Sequence, residues 1–74
     1  MKKGKYVANY LGDEVTVETD FLDLNKLIHK LNDLGFNLGS GHDGVEFNLD
    51  RMILILTPFV GRMDQIIRFE PIDI

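Results

Sequence analysis

The sequence predicts a small α+β domain: one helix packed on one face of a four- or five-stranded antiparallel sheet, in the order ββαβββ. Three observations lead to this fold. Leucine and isoleucine recur at helical spacing within residues 20–34. Other segments alternate apolar and polar residues, or are short and wholly apolar, as strands are. Turns with glycine or proline separate these segments.

The first part of the chain predicts a β-hairpin. Residues 5–11 are rich in tyrosine, valine and leucine, which favour strands. Gly12-Asp13 is expected to form the two-residue turn, because glycine accepts the positive φ that such turns require. Residues 14–18 then alternate valine with glutamate and threonine, the pattern of a half-buried strand.

The helix is predicted over residues 20–34. Thr19 or Asp20 can cap its start, because a short side-chain oxygen accepts a hydrogen bond from a free backbone N–H. Gly35 suits the left-handed position after the last turn, with Phe36 folding back onto the helix. The apolar stripe comprises Leu24, Leu27, Ile28, Leu31 and Leu34.

The remaining chain predicts three more strands. Residues 45–50 alternate apolar and polar side chains, so one face of this strand is wet. Residues 52–56 are all apolar, which is typical of a central strand covered on both faces. After the turn at residues 57–61, residues 65–70 predict the last strand. Pro71 indicates that this strand ends at a sheet edge, because proline has no N–H for the ladder.

Size and composition limit the classes of protein. The 74 residues predict a single domain over residues 1–74. With no cysteine, disulfides and thiolate zinc sites are excluded, and a cytoplasmic location is expected. The longest purely apolar run, Met52–Leu56, is far shorter than the roughly 20 residues of a membrane span. The net charge of −4 argues against direct binding to nucleic acid, despite the basic N-terminus.

The predicted sheet has more apolar surface than one helix covers. Residues 52–56 place apolar side chains on both faces, so part of this set is expected to face away from the helix. Such a patch usually marks an interface, either with another protein or with a second copy in a homodimer. The alternative is that the loop at residues 59–63 or the N-terminal segment covers it. The set comprises Met52, Ile53, Leu54, Ile55, Leu56, Ile66 and Ile72.

Acidic residues are expected to border this patch. Glu14 and Glu18 share a strand face, as do Glu46 and Asp50. Within a strand each pair is about 13 Å apart, too far for joint acid–base catalysis. The carboxylates are either a solvated surface or a docking surface for a basic protein. The predicted partner-binding residues are Glu14, Glu18, Glu46, Asp50, Leu54 and Ile66.

The glycine-rich segment at residues 39–44 matches G-x-G-x-x-G in letters only. A dinucleotide site needs a strand before this motif and a helix after it, and here the order is reversed. A connecting turn is therefore favoured; the alternative is a small anion or metal held by Gly41, His42 and Asp43. Ser40, His42 and Asp43 lie too close in sequence to form a hydrolytic triad. No cofactor or bound metal is expected, and His29 lies on the polar face of the helix.

These patterns favour a non-catalytic protein–protein interaction module, an inhibitor or adaptor. By size and charge alone it is similar to small acidic proteins of phages or mobile elements that block nucleic-acid-binding enzymes. The alternative function is a small-ligand or ion-binding domain that uses residues 39–44. An enzyme is not expected, because no convergent catalytic set is present.

Overall fold

The computed structural model describes residues 3–39, 41–59 and 63–72. Within them, five strands and one helix follow the predicted order ββαβββ. All strand pairs are antiparallel, in the sheet order β2-β1-β5-β4-β3. The elements are β1 (Gly4–Tyr10), β2 (Asp13–Thr19), α1 (Leu24–Asp33), β3 (His42–Asn48), β4 (Ile53–Pro58) and β5 (Gln65–Pro71).

The β1–β2 hairpin is confirmed, but its turn is Leu11-Gly12 rather than Gly12-Asp13. Tyr10 pairs with Asp13, so the two residues between them form the loop. Leu11 has φ of 52° and Gly12 has φ of 87°. Positive φ at both positions is the geometry of a type I′ turn, which matches the twist of the strands. Gly12 therefore takes the second position, and Asp13 begins β2.

Helix α1 begins at Leu24, later than the predicted start at residue 20. Asp23 is the N-cap, and its Oδ1 accepts a hydrogen bond of 3.0 Å from the N–H of Lys26. The predicted caps, Thr19 and Asp20, instead accept hydrogen bonds of 3.0 Å from the N–H groups two residues further on. Each bond closes a short turn between a side chain and the backbone two residues on, an ST turn at Thr19 and an Asx turn at Asp20. Such turns compete with helix formation.

The delay is explained by Phe21, which has φ of 60° and a buried side chain. Its ring stacks on Phe47 with centroids 4.1 Å apart and meets Tyr6 and Phe69 edge-on. A helix beginning at residue 20 would require right-handed φ at Phe21. This aromatic packing therefore takes the place of the first predicted helical turn.

The end of α1 agrees with the prediction. Gly35 has φ of 118° and donates a hydrogen bond of 3.1 Å to the Asn32 carbonyl. The N–H of Phe36 donates to the Leu31 carbonyl at 3.0 Å. The two bonds together form a Schellman motif, and Phe36 packs into the core.

The strand predicted over residues 45–50 is displaced toward the N-terminus. β3 starts at His42 and ends at Asn48, which pairs with Ile53. The four residues between them form a turn, in which Asn48 Oδ1 accepts a hydrogen bond of 3.1 Å from the N–H of Arg51. Met52 closes this turn with φ of 53°, so it is not part of β4.

The predicted edge holds at the end of β5 but not for the strand as a whole, which is the middle strand of the sheet: in the described residues β4 pairs only with residues 65–68, so Pro71 has β1 alone beside it. Pro71 is the last residue of β5 and pairs with Tyr6. The next N–H, that of Ile72, donates to the Lys5 carbonyl at 3.1 Å. The missing N–H of Pro71 is tolerated because it falls at the end of β5, and the hydrogen bonds to β1 continue at Ile72.

The hydrophobic core lies between α1 and one face of the sheet. Leu31, Leu54, Leu56 and Ile67 are its largest fully buried side chains. The connections on either side of α1 contribute Phe21, Phe36 and Leu38 to the same core. The other members are Tyr6, Ala8, Val17, Leu27, Ile28 and Phe69.

Candidate interaction surface

The sheet face opposite α1 has no second layer among the described residues. Side chains alternate between faces along each strand, so the strand residues that do not contribute to the core lie on this opposite face. We call it the open face. It comprises Lys5, Val7 and Asn9 of β1; Glu14, Thr16 and Glu18 of β2; Gly44, Glu46 and Asn48 of β3; Ile53, Ile55 and Thr57 of β4; and Ile66, Arg68 and Glu70 of β5.

An isoleucine cluster occupies the middle of the open face. Ile55 pairs directly with Ile66, and Ile53 pairs with Arg68. Ile66 is 48% exposed, whereas its neighbour Ile67 is 0% exposed. The other large apolar side chains found exposed in the described residues belong to turns and connections, so Ile66 is the one that lies within a strand. The Ile53–Ile55–Ile66 cluster is therefore built into the sheet rather than scattered over loops.

Polarity changes across the open face. The β2 residues at one edge, Glu14, Thr16 and Glu18, are all polar. β4 presents isoleucines and a threonine. At the other edge, β3 presents Glu46 and Asn48 beside the isoleucines. The apolar centre is thus bordered by polar groups on both sides, as in the central part and rim of a protein interface.

Arg68 lies beside the isoleucine cluster on the open face. It lies between Asn9 of β1 and Ile53 of β4 in the cross-strand register. Its neighbours around a recess of about 280 Å³ include Glu14 and Glu70. Within the described residues, the Arg68 guanidinium forms no ion pair at 4.0 Å or less. No ion pair among the described residues therefore uses the hydrogen-bond donors of this arginine, and they can bind a group of another molecule.

The sequence-predicted partner-binding residues do not all share the open face. Glu14, Glu18, Glu46 and Ile66 lie on it. Leu54 does not: its placement there is wrong, because Leu54 alternates with Ile53 and Ile55 and is 0% exposed in the core. Asp50 is also misplaced, since it lies in the exposed turn after β3 rather than on the strand beside Glu46.

The carboxylates of the open face lie at opposite edges. β2 and β3 are separated by three strands, which places Glu14 and Glu46 about 19 Å apart across the sheet at ordinary strand spacing. They cannot act on one small ligand together. Arg68 and Asn9 are open-face residues that the sequence-predicted set did not include. The alternation of Arg68 with Ile67 and Phe69 was the signal that could have assigned it to the wet face.

Hydrogen bonds within the chain hold the glycine-rich segment. The Asn32 side chain accepts from the N–H of Leu38 and donates to the Gly39 carbonyl, both at 2.8 Å. His42 Nε2 donates to the Leu38 carbonyl, also at 2.8 Å. Gly39 has φ of 75°, which glycine adopts readily. These bonds account for the shape of the described part of the segment without a ligand.

Gly41 and Asp43 belong to the alternative in which this segment binds a ligand. No third group in the described residues joins them to bind the same ion. Gly41 lies against the ring of Phe59, where an added Cβ would be 2.7 Å from a ring carbon. Asp43 is exposed. In the described ranges, no three histidine or acidic side chains are placed to hold one metal ion. Ser40 lies outside the described residues.

A second recess, of about 260 Å³, lies between the end of β2 and α1. All of its charged side chains except Lys26 have a partner among the described residues. Lys30 Nζ donates to the Glu18 carbonyl at 3.0 Å, and Lys3 Nζ lies 3.6 Å from Glu18 Oε1. Asp23 is occupied by capping α1. The open face therefore remains the better candidate for an interaction surface.

Comparison with models of protein families, with curated proteins and with solved structures found no match for this chain. The ten-residue α1 is too short to cross a bilayer, and the described part of the chain has no other helix that could do so. The functional assignment therefore depends on the geometry of the open face.

Proposed function

We propose that this protein is a non-catalytic interaction module that binds another protein chain through the open face. The observation that carries the proposal is the Ile53–Ile55–Ile66 cluster beside Arg68, on a sheet face that the described residues leave uncovered. Leaving large apolar side chains in water forfeits about 1.5–3 kcal/mol for each one that could be fully buried. Arginine is also enriched among the residues that dominate binding energy at interfaces.

The acidic groups on the open face support a partner with basic groups at the corresponding positions. Glu14 shares the cross-strand row of Arg68 on one side of the cluster, and Glu46 flanks the other side. Glu18 lies about 13 Å further along β2, opposite Lys5. Rim charges of this kind mainly accelerate encounter and select the partner. An acidic inhibitor or adaptor for a basic, nucleic-acid-binding protein fits this arrangement. A cytoplasmic location is part of the proposal and is supported by the lack of cysteine.

Affinity capture with matched variants tests the proposal. The tagged protein is incubated with lysate of the cells that express it, and captured proteins are identified by mass spectrometry. Ile55→Thr with Ile66→Thr should abolish capture of the specific partner, because both substitutions remove apolar contact area. Leu22→Thr is the matched control, since Leu22 is 73% exposed beside α1 and lies outside the open face. Equal loss of the partner in the control would refute the assignment of the surface.

The acidic rim is tested by association kinetics with the captured partner. Reversing Glu14, Glu18 and Glu46 to lysine should lower the association rate by 10-fold or more at low salt, an effect on the order of that known for electrostatic steering. Asp50→Lys is the matched control, because Asp50 lies in the β3–β4 turn. The difference from wild type should shrink as salt rises, since exposed charges are screened. An unchanged rate after the triple reversal would contradict steering by this rim.

A further inference from the structure

We propose that the free edge of β3 binds an extended segment of another protein as an added antiparallel strand, in which apolar residues alternate with lysine or arginine. β3 and β2 are the two edge strands of the sheet. The inference goes beyond the proposed function, because it uses the backbone edge of β3 and not the isoleucine cluster. Three features of β3 carry it: its outward backbone groups, the partial cover of its core-side chains, and the carboxylate between them.

The hydrogen bonds between β4 and β5 fix the direction of the β4 backbone groups. The N–H of Phe69 donates to the Met52 carbonyl at 2.9 Å. In an antiparallel ladder, such a bond lies next to a pair that does not itself exchange hydrogen bonds, and here that pair is Ile53 and Arg68. The N–H and C=O groups of Ile53, and by alternation those of Ile55, therefore point to β3.

The same alternation decides which backbone groups of β3 are outward. The β3 partners of the two isoleucines, Asn48 and Glu46, direct their N–H and C=O groups back to β4. The N–H and C=O groups of Val45 and Phe47 consequently point away from the sheet. No hydrogen bond among the described residues uses these four groups. An edge of this kind is a template for an added strand.

The opposite edge of the sheet is protected by α1. The Glu18 carbonyl of β2 accepts a hydrogen bond of 3.0 Å from Lys30 Nζ. The core-side chains Val17 and Thr19 are buried there. A strand added at β2 would have to displace Lys30, whereas no such bond protects the described residues of β3. The two edges therefore differ, and β3 is the one open to an added strand.

The core-side chains of β3 are only partly covered. Leu54 and Leu56 of β4 are both 0% exposed. Their cross-strand partners on β3, Phe47 and Val45, are half-buried. The cover decreases within one strand because α1 lies over the β2 side of the sheet. Apolar side chains on an added strand would remove more of Phe47 and Val45 from water and extend the core by one strand.

Glu46 specifies the other face of the added strand. It is the exposed residue between Val45 and Phe47, and it lies on the open face. Lysine or arginine directly beside it would form a cross-strand pair of opposite charge. Gly44 lies on the same face and has no side chain, so a long basic side chain can extend across it. The segment that fits is therefore apolar on one face and basic on the other.

A second copy of β3 fits this edge poorly. Two antiparallel β3 strands use all four outward groups of each copy only when Val45 pairs with the Phe47 of the second copy. That register places Glu46 directly opposite the Glu46 of the second copy. Like charges in directly opposite positions are destabilising. The occupant that the edge favours is therefore a different chain.

Amide hydrogen exchange tests the geometry of the edge. In the dilute protein, the amides of Val45 and Phe47 should exchange at least about 10-fold faster than those of Glu46 and Asn48, which donate to β4. Equal protection of all four amides would mean that the edge is already covered and would overturn the inference. So would protection of Val45 and Phe47 that rises with protein concentration, because the occupant would then be a second copy.

A capped synthetic peptide of about seven residues, in which valine alternates with lysine, tests binding. At up to about 2 mM it should slow amide exchange at Val45 and Phe47 and leave that of Thr16, on the β2 edge, unchanged. N-methylation of the valines should abolish binding, because their N–H groups face β3 in an antiparallel pair. N-methylation of the lysines should change binding by less than about 3-fold, because their N–H groups point away.

Charge reversal tests the predicted face. Glu46→Lys should weaken binding of this peptide by at least about 5-fold, and it should strengthen binding of a matched peptide with glutamate in place of lysine. Glu14→Lys, on the far edge of the sheet, is the control and should leave binding within about 2-fold. Circular dichroism of each variant verifies that it is folded. Equal effects of Glu46→Lys on the two peptides would overturn the inference.

Two further results would overturn it: no change in exchange at Val45 and Phe47 with the peptide, or equal effects of N-methylation at valine and at lysine. The proposed function is tested separately. Ile66→Thr, two strands away, should leave peptide binding unchanged. If the peptide binds as described but Ile55→Thr with Ile66→Thr does not affect capture from lysate, the β3 edge is correct and the open-face assignment is wrong.

Discussion

Ile55 and Ile66 lie directly opposite each other on neighbouring strands, on the sheet face that α1 does not cover. Their chain neighbours Leu54 and Ile67 form the equivalent pair on the other face and are both 0% exposed. The two pairs have nearly the same composition, so their different surroundings cannot arise from hydrophobicity. The difference arises because a single helix supplies the only second layer in the described part of the chain. This asymmetry is the structural basis for assigning an interaction surface.

Adjacent isoleucines should differ sharply in their contribution to stability. Ile67→Thr is expected to lower the free energy of unfolding by about 2–4 kcal/mol, because it opens a cavity and buries a hydroxyl group. Ile66→Thr should lower it by less than about 1 kcal/mol in the monomer, since Ile66 is 48% exposed. Urea denaturation, at a protein concentration too low for self-association, measures the free energy of unfolding of both variants. Equal costs at the two positions would contradict the assignment of faces.

The β1–β2 turn should gain stability from Leu11→Asn. Leu11 has φ of 52° and is 85% exposed, so the substitution relieves left-handed strain without removing packing. Asn-Gly is the preferred sequence of a type I′ turn, and the expected gain is about 0.5–1 kcal/mol. Gly12→Ala is the opposite control, because Gly12 has φ of 87°. Thermal unfolding at matched concentration measures both variants; a loss of stability in Leu11→Asn would show that the turn has another geometry.

Asn32 should hold the segment after α1 in place. Asn32→Ala removes both hydrogen bonds to the Leu38 and Gly39 backbone and should cost about 1–3 kcal/mol. Asn25→Ala serves as the control, because Asn25 is exposed on the same helix. Amide hydrogen exchange at Leu38 provides the local measurement and should accelerate in Asn32→Ala alone. Unaltered exchange at Leu38 would mean that the two Asn32 side-chain hydrogen bonds do not order the segment.

Phe21 should be among the most costly side chains to truncate. Phe21→Ala removes the ring that stacks on Phe47 and contacts Tyr6 and Phe69, and should cost about 3–5 kcal/mol. In a domain of this size such a loss is a large part of the total stability. Leu22→Ala is the neighbouring control and should change stability little, because Leu22 is exposed. Denaturant titration of both variants distinguishes aromatic packing from a local backbone effect.

Much of the fold could be predicted because local patterns determine it. The stripe of Leu24, Leu27, Ile28 and Leu31 and the stop at Gly35 correctly located the helix and its end. The surplus of apolar groups in residues 52–56 correctly indicated that part of this set faces away from the helix, as Ile53 and Ile55 do. The start of the helix could not be derived in this way, because Phe21 adopts a left-handed conformation to join rings from distant strands.

The candidate surface was harder to predict because it depends on strand order. Leu54 and Ile55 are equally apolar, and which of them is buried is decided by register and by the side on which α1 packs. Pro71 similarly indicated that the end of its strand lies at an edge; this is true at Pro71, where only β1 is paired, but it gave no sign that the rest of β5 lies in the middle of the sheet. Non-local pairing, such as that of Asn9 with Arg68, leaves no trace in local periodicity.

The measurement that tests the central claim most directly is methyl NMR of isoleucine-labelled protein with a soluble paramagnetic probe. In the dilute monomer, the probe should broaden the methyl signals of Ile55 and Ile66 and leave those of Ile28 and Ile67 sharp, because only the first two lie on the open face. The Ile55 and Ile66 signals should become protected when a second copy or the captured partner binds. Signals of Ile55 and Ile66 as protected as that of Ile67 in the dilute monomer would contradict the account, because the face would then already be covered.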